Sequence, residues 1–259
     1  MIGRRRRERR LRELAELDAF RHVRRAADED VTRFGEELTA LHVDTLTTEL
    51  DGRTLDDYQR ALDAYESAKA TLRRCATAAD VTEVTRALAD GRFSQACVLA
   101  HRDGRDRPER RPPCFFDPGH GPATRDMEWA PPGGVPREVP VCFRDAERLD
   151  AGDRPDVRLV RLGDRRVAWF ASGPLYTAWA AGWYDELIRS GRADATRITM
   201  AYAGPVGPDS SRVTLGVAWS DPGSWTEGGM IGGHDYSGQV GGGDGGFGDG
   251  GAGGGGGDG

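Results

Sequence analysis

Two stretches in the middle of the chain decide the fold: residues 112–122, PPCFFDPGHGP, and residues 139–145, VPVCFRD. They contain Cys114, His120 and Cys142. Short apolar segments broken by proline and glycine surround these side chains, a pattern typical of short strands and turns rather than long helices. A hairpin between the two stretches would bring the two thiols and the imidazole together. We therefore predict a small β-rich module built around a Cys/His cluster.

The cluster has the residue types of a zinc site. Zinc takes four tetrahedral ligands and favours thiolate sulfur and imidazole nitrogen. Cys114, His120 and Cys142 supply three ligands, and either Asp145, three residues after Cys142, or Asp117, inside the first loop, supplies the fourth. The cofactor predicted from the sequence is thus a structural zinc ion. Two alternatives stay open: a metal-free cluster in a module held by packing, and a disulfide between the two cysteines.

The same residues carry a resemblance to a known family. The Cys-Phe-Phe and His-Gly-Pro elements, the Pro-Pro-Gly-Gly turn at 131–134 and the Val-Pro-Val-Cys segment resemble a family of proteins from high-GC Gram-positive bacteria, over about residues 55–170. The resemblance implies a helical N-terminal region before the module and, in many members, a Cys-x-x-Cys pair at the second knuckle. Asp145 stands where the last cysteine of that pair would be, which implies a weaker zinc site. No activity comes with the resemblance.

Residues 1–102 predict an antiparallel helical hairpin or bundle with a basic N-terminus. Apolar residues at helical spacing line one face, at Val31, Phe34, Leu38 and Leu41. An earlier stripe is formed by Leu11, Leu14 and Leu17. The acidic residues 28–30 lie between the stripes, and they predict either the cap of a second helix or an exposed turn of one long helix.

Two more helices are predicted before residue 102. Thr54, with Asp57 three residues later, resembles a capping box that starts the first of them. Its apolar side consists of Leu55, Tyr58, Leu62, Tyr65 and Leu72. Asp80, with Glu83 in the reciprocal position, starts the next helix, and Gly91 weakens or ends it.

The rest of the chain divides by composition. Residues 103–113, rich in Arg, Asp and Pro, predict a linker, and residues 114–237 a small α+β module. Within the module we expect a hairpin turning at Gly163-Asp164, a second hairpin over 198–219, and between them a helix that carries Trp179, Trp183 and Leu187 and ends at Gly191. Residues 238–259 are mostly glycine and predict a disordered Gly-rich tail, since they cannot bury enough apolar surface to offset the entropy of ordering. The predicted fold class is therefore α+β.

Charge and targeting signals limit the partners and the location. The formal net charge of −6 argues against a general nucleic-acid binder. No apolar stretch of signal-peptide length follows the basic start, so we expect a cytoplasmic protein whose cysteines are thiols or metal ligands. Residues 167–184 lack charge and approach the length of a membrane span, but their glycine, proline and aromatic content favours a buried strand end followed by a helix.

These observations favour a non-enzymatic interaction or scaffold protein. Its helical region would bind a protein partner or a second copy of the chain. The basic run Arg4–Arg10 suggests one alternative, a peripheral membrane adaptor that docks on an anionic membrane surface. The other alternative is a metal-dependent hydrolase with Glu128 or Glu138 as its base, although nothing in the sequence selects either glutamate. No glycine-rich phosphate loop or Gly-x-Ser-x-Gly elbow occurs.

Overall fold

The structure, a computed structural model, describes residues 2–131, 134 and 136–189. Three long helices precede two antiparallel strand pairs and short helices, which confirms the predicted α+β class. The helices are α1 Ile2–Thr45, α2 Gly52–Arg74, α3 Ala78–Arg102, α4 Phe143–Asp150, α5 Thr177–Trp183 and α6 Asp185–Arg189. The strands are β1 Arg125–Trp129, β2 Arg137–Val141, β3 Leu159–Leu162 and β4 Arg165–Ala168. The second predicted hairpin, Gly191 and the glycine-rich tail lie outside the described residues.

The first helix, α1, runs without a break through the acidic residues 28–30. The predicted stripe from Val31 to Leu41 is buried in the core, as expected from its spacing. The expectation of an exposed turn is wrong at Asp30, whose side chain is buried. Its carboxylate accepts a hydrogen bond from the indole of Trp179 at 2.7 Å and pairs with Arg158 at 2.9 Å, which offsets its burial in part, and burial still raises the pKa of Asp30.

The predicted starts of the next two helices are wrong, because each helix begins three residues earlier than predicted. Asp51 caps α2, because its side chain accepts a hydrogen bond from the backbone N–H of Thr54 at 2.7 Å. Thr77 caps α3, with Asp80 in the reciprocal position of a capping box. In both cases the predicted cap residue is the one whose N–H is capped. Short polar side chains three residues apart fit a helix that starts at either position. The extended backbone at Asp51 and Thr77 shows that the earlier residue is the cap in both helices.

Close packing explains two further corrections in the helical region. Helix α3 continues through Gly91 to Arg102, because Gly91 lies against α1 and a Cβ there would come within 2.7 Å of the Phe34 ring. Leu55, expected on the apolar side of α2, is exposed. The buried face of α2 instead includes Ala61 and Ala68, whose small side chains allow α2 and α3 to approach closely.

The strands form two separate hairpins. In the first, β1 pairs with β2 from Arg125 opposite Val141 to Trp129 opposite Arg137. In the second, β3 pairs with β4 around a turn in which Gly163 has a positive φ, which confirms the predicted turn. Between them lies an aromatic cluster formed by Phe115, Phe116, Trp129, Trp169 and Phe170.

The helices and the hairpins share one hydrophobic core. Helix α5 packs on α3 so closely that a Cβ on Gly182 would come within 2.1 Å of the carbonyl oxygen of Thr82. The single helix predicted over Trp179 and Leu187 is broken at Tyr184, whose backbone leaves helical geometry. At this break the Tyr184 hydroxyl donates a hydrogen bond to the carbonyl of Cys114 at 2.9 Å.

Residues 167–184, weighed above as a membrane span, form the end of β4, two 3₁₀ turns and α5. Among the described residues, no helix combines the length and the apolar character needed to cross a membrane.

Candidate metal centre

The loop from Cys114 to Gly121 folds back on itself before β1 begins. The backbone N–H of Cys114 donates to the carbonyl of Gly121 at 2.9 Å, and Gly121 has a positive φ that suits a residue without a Cβ. A second bond, from the N–H of Phe115 to the carbonyl of Pro140 at 2.8 Å, attaches the loop to β2. The loop thus places Cys114 and His120 side by side near the end of β2.

The other two side chains come from the start of α4. Cys142 is the N-cap residue of that helix, and Asp145 follows in its first turn. Residues three apart in a first helical turn lie on the same face. The hairpin of β1 and β2 delivers this turn to the Cys114 loop, as the sequence predicted.

Cys114, His120, Cys142 and Asp145 form a group that could hold a metal ion, with one potential ligand atom from each within 4.8 Å of the others. The Cys114 and Cys142 sulfurs lie 3.3 and 3.5 Å from Asp145 Oδ2, and Cys142 Sγ lies 3.7 Å from His120 Nδ1. A tetrahedral zinc site has ligand–ligand separations of about 3.3–3.8 Å. The pair of His120 Nδ1 and Asp145 Oδ2, at 2.9 Å, would have to widen, and separations in the group of up to 4.8 Å would have to shorten.

The cluster lies at the edge of the core. Cys114, Cys142 and Asp145 are buried, and the His120 side chain, 17% exposed, closes the cluster toward the surface. The two cysteines are free thiols in this structure and are not joined in a disulfide. Cys75 and Cys97, the other two cysteines, lie in or at the end of the helices, and burial raises the pKa of Cys97 to about 11.

Polar neighbours orient the candidate ligands from outside. The backbone N–H of Asp156 donates to Asp145 Oδ1 at 2.9 Å, which leaves Oδ2 directed at the sulfurs. The Asp156 carboxylate lies 3.5 Å from His120 Nε2. A carboxylate on one ring nitrogen places the proton there and leaves the other, here Nδ1, free to bind a metal.

Asp117, the alternative fourth ligand, has a different role. Its carboxylate binds the guanidinium of Arg33 on α1 through two hydrogen bonds, at 2.7 and 3.0 Å, and accepts the N–H of Gly119 at 2.7 Å. One Asp117 oxygen lies 4.0 Å from His120 Nε2, on the opposite side of the imidazole from the cluster. The structure therefore brings Asp145, not Asp117, to the two sulfurs. Arg33 and Asp156 belong to no local motif, so the sequence gives no signal of their roles.

Without a metal, hydrogen bonds within the cluster and to Asp156 favour the charged forms of His120 and Cys142. Burial disfavours the charged imidazole of His120, but hydrogen bonds to Asp145, Asp156 and Cys142 outweigh burial and raise its pKa to about 12. Hydrogen bonds with Cys114 and, to a lesser extent, His120 together lower the pKa of Cys142 to about 6 against the effect of burial. Burial strongly raises the pKa of Cys114. A thiolate at Cys142 beside an imidazolium is the expected state at neutral pH.

Glu128 and Glu138, the bases considered for a hydrolase, face each other across the first hairpin and are both exposed. No protein-family model matches the chain, and no curated protein or solved structure matches it either.

Proposed function

We propose that the chain is a non-enzymatic scaffold protein whose central module is held by one structural zinc ion, bound by Cys114, His120, Cys142 and Asp145. The observation that carries the proposal is the convergence of four donor atoms of the right chemistry within 4.8 Å. Two thiolates and an imidazole suit zinc better than magnesium or calcium, which prefer oxygen ligands. Four protein donors also complete a tetrahedral set, whereas a catalytic zinc keeps one position open.

The elements that meet at the cluster show why a metal would matter there. The strands of the module have only four or five residues each, and an isolated two-stranded hairpin of that length is marginally stable in water. A zinc ion would join three segments: the start of the Cys114 loop, its end at His120, and the first turn of α4. Reduced thiols suit the cytoplasm, where we place the protein.

The first test is the metal content of protein purified under reducing conditions without added zinc, measured by plasma mass spectrometry. We expect about one zinc per chain, as in single structural sites, and loss of module structure when a chelator removes it. Cys114→Ser and Cys142→Ser should each lose the metal, while Cys75→Ser, away from the cluster, keeps it. Metal far below one per chain, together with an intact fold in chelator, would contradict the zinc proposal.

Substitutions at Asp145 and Asp156 test the ligand set more finely. Asp145→Cys supplies a third thiolate and should bind zinc more tightly than the wild type in a chelator competition. Asp156→Asn, which alters only the group behind His120, should weaken binding about tenfold or more. If Asp145→Asn and Asp145→Cys both bind zinc like the wild type, Asp145 is not a ligand.

The scaffold role needs a contact surface, and the helical region offers one part of α1. The predicted stripe around Phe34 is used by the protein's own core. Residues 4–18, in contrast, are exposed throughout, and Leu11, Leu14 and Leu17 project from a helix that nothing else covers in the described part of the chain. We propose that this part of α1 contacts a protein partner, either a second copy or another chain.

Sedimentation velocity tests the version with a second copy. We expect a concentration-dependent dimer that Leu11→Asp together with Leu14→Asp abolishes, with Leu46→Asp, another exposed leucine, as the control. If the chain stays a monomer at every concentration, self-association is excluded and the partner is a different protein.

The exposed arginines of the same segment favour a second candidate, docking on an anionic membrane. Each Arg near such a surface contributes about 1 kcal/mol, and the attraction is screened by salt. Co-sedimentation with phosphatidylserine vesicles at low salt, lost at high salt, would support this role. Failure to co-sediment at low salt would exclude it.

A further inference from the structure

The two cysteines of the cluster form a close pair of sulfurs. The Sγ atoms of Cys114 and Cys142 lie within 4.8 Å of each other, and both contact the same oxygen of Asp145, at 3.3 and 3.5 Å. Their backbones are also neighbours, because the N–H of Phe115 donates to the carbonyl of Pro140 at 2.8 Å. A disulfide has a sulfur–sulfur distance of about 2.05 Å, so the pair has to close by less than about 3 Å. Rotation about the Cα–Cβ bonds moves the sulfurs by distances of this size.

The donor set makes metal retention depend on this pair. A disulfide between Cys114 and Cys142 removes both thiolates at once, and only the imidazole of His120 and the carboxylate of Asp145 remain. Structural zinc sites use four protein ligands, and thiolate is the donor that zinc favours. Two ligands without sulfur are too few to keep the ion, so the state of the two sulfurs decides whether the site is filled.

The other two cysteines lack such a neighbour. Cys75 follows the last turn of α2, whereas Cys97 interacts with Asp57 near the start of that helix. About 27 Å of helix separates the two positions, at 1.5 Å per residue. Within the pair, Cys142 is 5% exposed and Cys114 is 0% exposed, so a small oxidant that enters beside His120 meets Cys142 first.

We propose that hydrogen peroxide switches the cluster between a zinc-bound pair of thiolates and a metal-free disulfide of Cys114 and Cys142. The inference rests on the proposed zinc site, because a metal ligand of this kind is a thiolate, and the thiolate is the form of cysteine that peroxide oxidises.

The chemistry balances with one peroxide for each pair. The Cys142 sulfur attacks one oxygen, the O–O bond breaks, and the departing hydroxide takes a proton from solvent to become water. The Cys114 sulfur then attacks the sulfenic acid on Cys142, which forms the S–S bond and releases a second hydroxide that also becomes water. Two electrons pass from the sulfurs to the peroxide. In the cytoplasm, two molecules of a small thiol such as glutathione reduce the disulfide and are themselves oxidised to a disulfide.

Treatment of the zinc-loaded full chain with hydrogen peroxide tests the proposal through two readouts. A chromogenic zinc chelator follows release of the ion, and mass spectrometry of peptides, after free thiols have been blocked, locates the disulfide. We expect about one zinc released for each disulfide between Cys114 and Cys142, and dithiothreitol with added zinc should restore the loaded protein.

The failures of the two proposals are distinguishable. Protein without zinc before peroxide is added overturns the proposed function, and the switch with it. Protein that starts with zinc and keeps it, while glutathione in the same solution is fully oxidised, overturns only the switch. Zinc release with sulfinic acid at Cys142 and no disulfide overturns it as well.

Variants of the isolated cysteines are the matched controls. Cys75→Ser and, separately, Cys97→Ala leave the pair intact, so each should release zinc to the same extent as the wild type and form the same disulfide. If either variant keeps its zinc in peroxide, release in the wild type depends on a cysteine outside the cluster and the proposal is overturned.

Discussion

In helices α1–α3 the chain buries small and apolar side chains along elements of 23 to 44 residues, whereas after Pro113 it consists of strands of four or five residues and 3₁₀ turns. The helices satisfy their backbone groups internally and need only side-chain packing. The short strands depend on aromatic packing around Trp169 and on the Cys/His cluster. The second region therefore needs long-range contacts that the first can partly do without.

The largest expected effect is a difference in pH dependence between the zinc-loaded and the metal-free protein. Zinc binding removes the protons of both thiols, so the free energy of unfolding should rise with pH by at most about 2.7 kcal/mol per unit between pH 6.5 and 8. Without zinc, two shifts oppose each other. The raised pKa of His120 gives stability that is complete below pH 6.5 and lost as pH rises toward 12, while the lowered pKa of Cys142 gives stability that grows from pH 6 to 9.

The metal-free protein should therefore show almost no slope between pH 6.5 and 8.5. Cys142→Ser removes the second shift and leaves His120 its hydrogen bonds to Asp145 and Asp156, so this variant should lose stability as pH rises, by at most about 1.4 kcal/mol per unit. Urea denaturation at four pH values, with zinc and with chelator, measures all three slopes. Equal slopes with and without zinc would contradict a metal site at the cluster.

Trp169→Ala should cost about 3–5 kcal/mol, because the ring is fully buried and stacks on Tyr184. Its indole also donates a hydrogen bond to the carbonyl of Phe115 at 2.7 Å, which the substitution removes. Since α5 and α3 share one core, we expect far-UV circular dichroism and tryptophan fluorescence to report the same transition. Two separate transitions would show that the helices and the module unfold independently.

Gly91→Ala tests the close packing inside the helical region. Alanine gains up to about 1 kcal/mol in helix propensity, but its Cβ would lie 2.7 Å from the Phe34 ring, and overpacking costs about 1–3 kcal/mol. The guanidinium of Arg92 covers the Phe34 ring, with 5.0 Å from its carbon to the ring centroid, so the ring has little room to move. We expect a net loss of about 1–2 kcal/mol in urea denaturation. Gly52→Ala, with nothing within 4 Å of the added Cβ, is the control and should be neutral or stabilising.

The smallest effect is expected at a helix cap. Thr77→Ala removes the side chain that accepts from the N–H of Asp80, at a cost of about 1 kcal/mol. Thr54→Ala, at the position first expected to be a cap, should cost less, because it keeps the bond from its own backbone N–H to Asp51 and removes only the hydroxyl that also bonds Asp51. Thermal unfolding of the two variants separates the alternatives, and an equal loss in both would mean that capping is not the cause.

Much of the candidate site was predictable. The two cysteines, His120 and Asp145 were named from spacing and ligand chemistry, and the structure brings them together. Asp117 and Asp145 were equivalent at that level, because each lies three residues from a candidate ligand, and only the course of the loop directs Asp117 to Arg33 instead. Arg33 itself lies far away in sequence on α1, and no local pattern marks it.

The sequence by itself determined the properties that depend on neighbouring residues along the chain. These are the three long helices, the turn at Gly163, the small module around Cys114 and the four residues of its cluster. The tertiary structure alone decided which caps are used, that α3 continues past Gly91, that Asp30 is buried, and that Asp117 pairs with Arg33. Periodicity and turn chemistry act over a few residues, whereas burial, close approach and ion pairing depend on segments that meet only when the chain has folded.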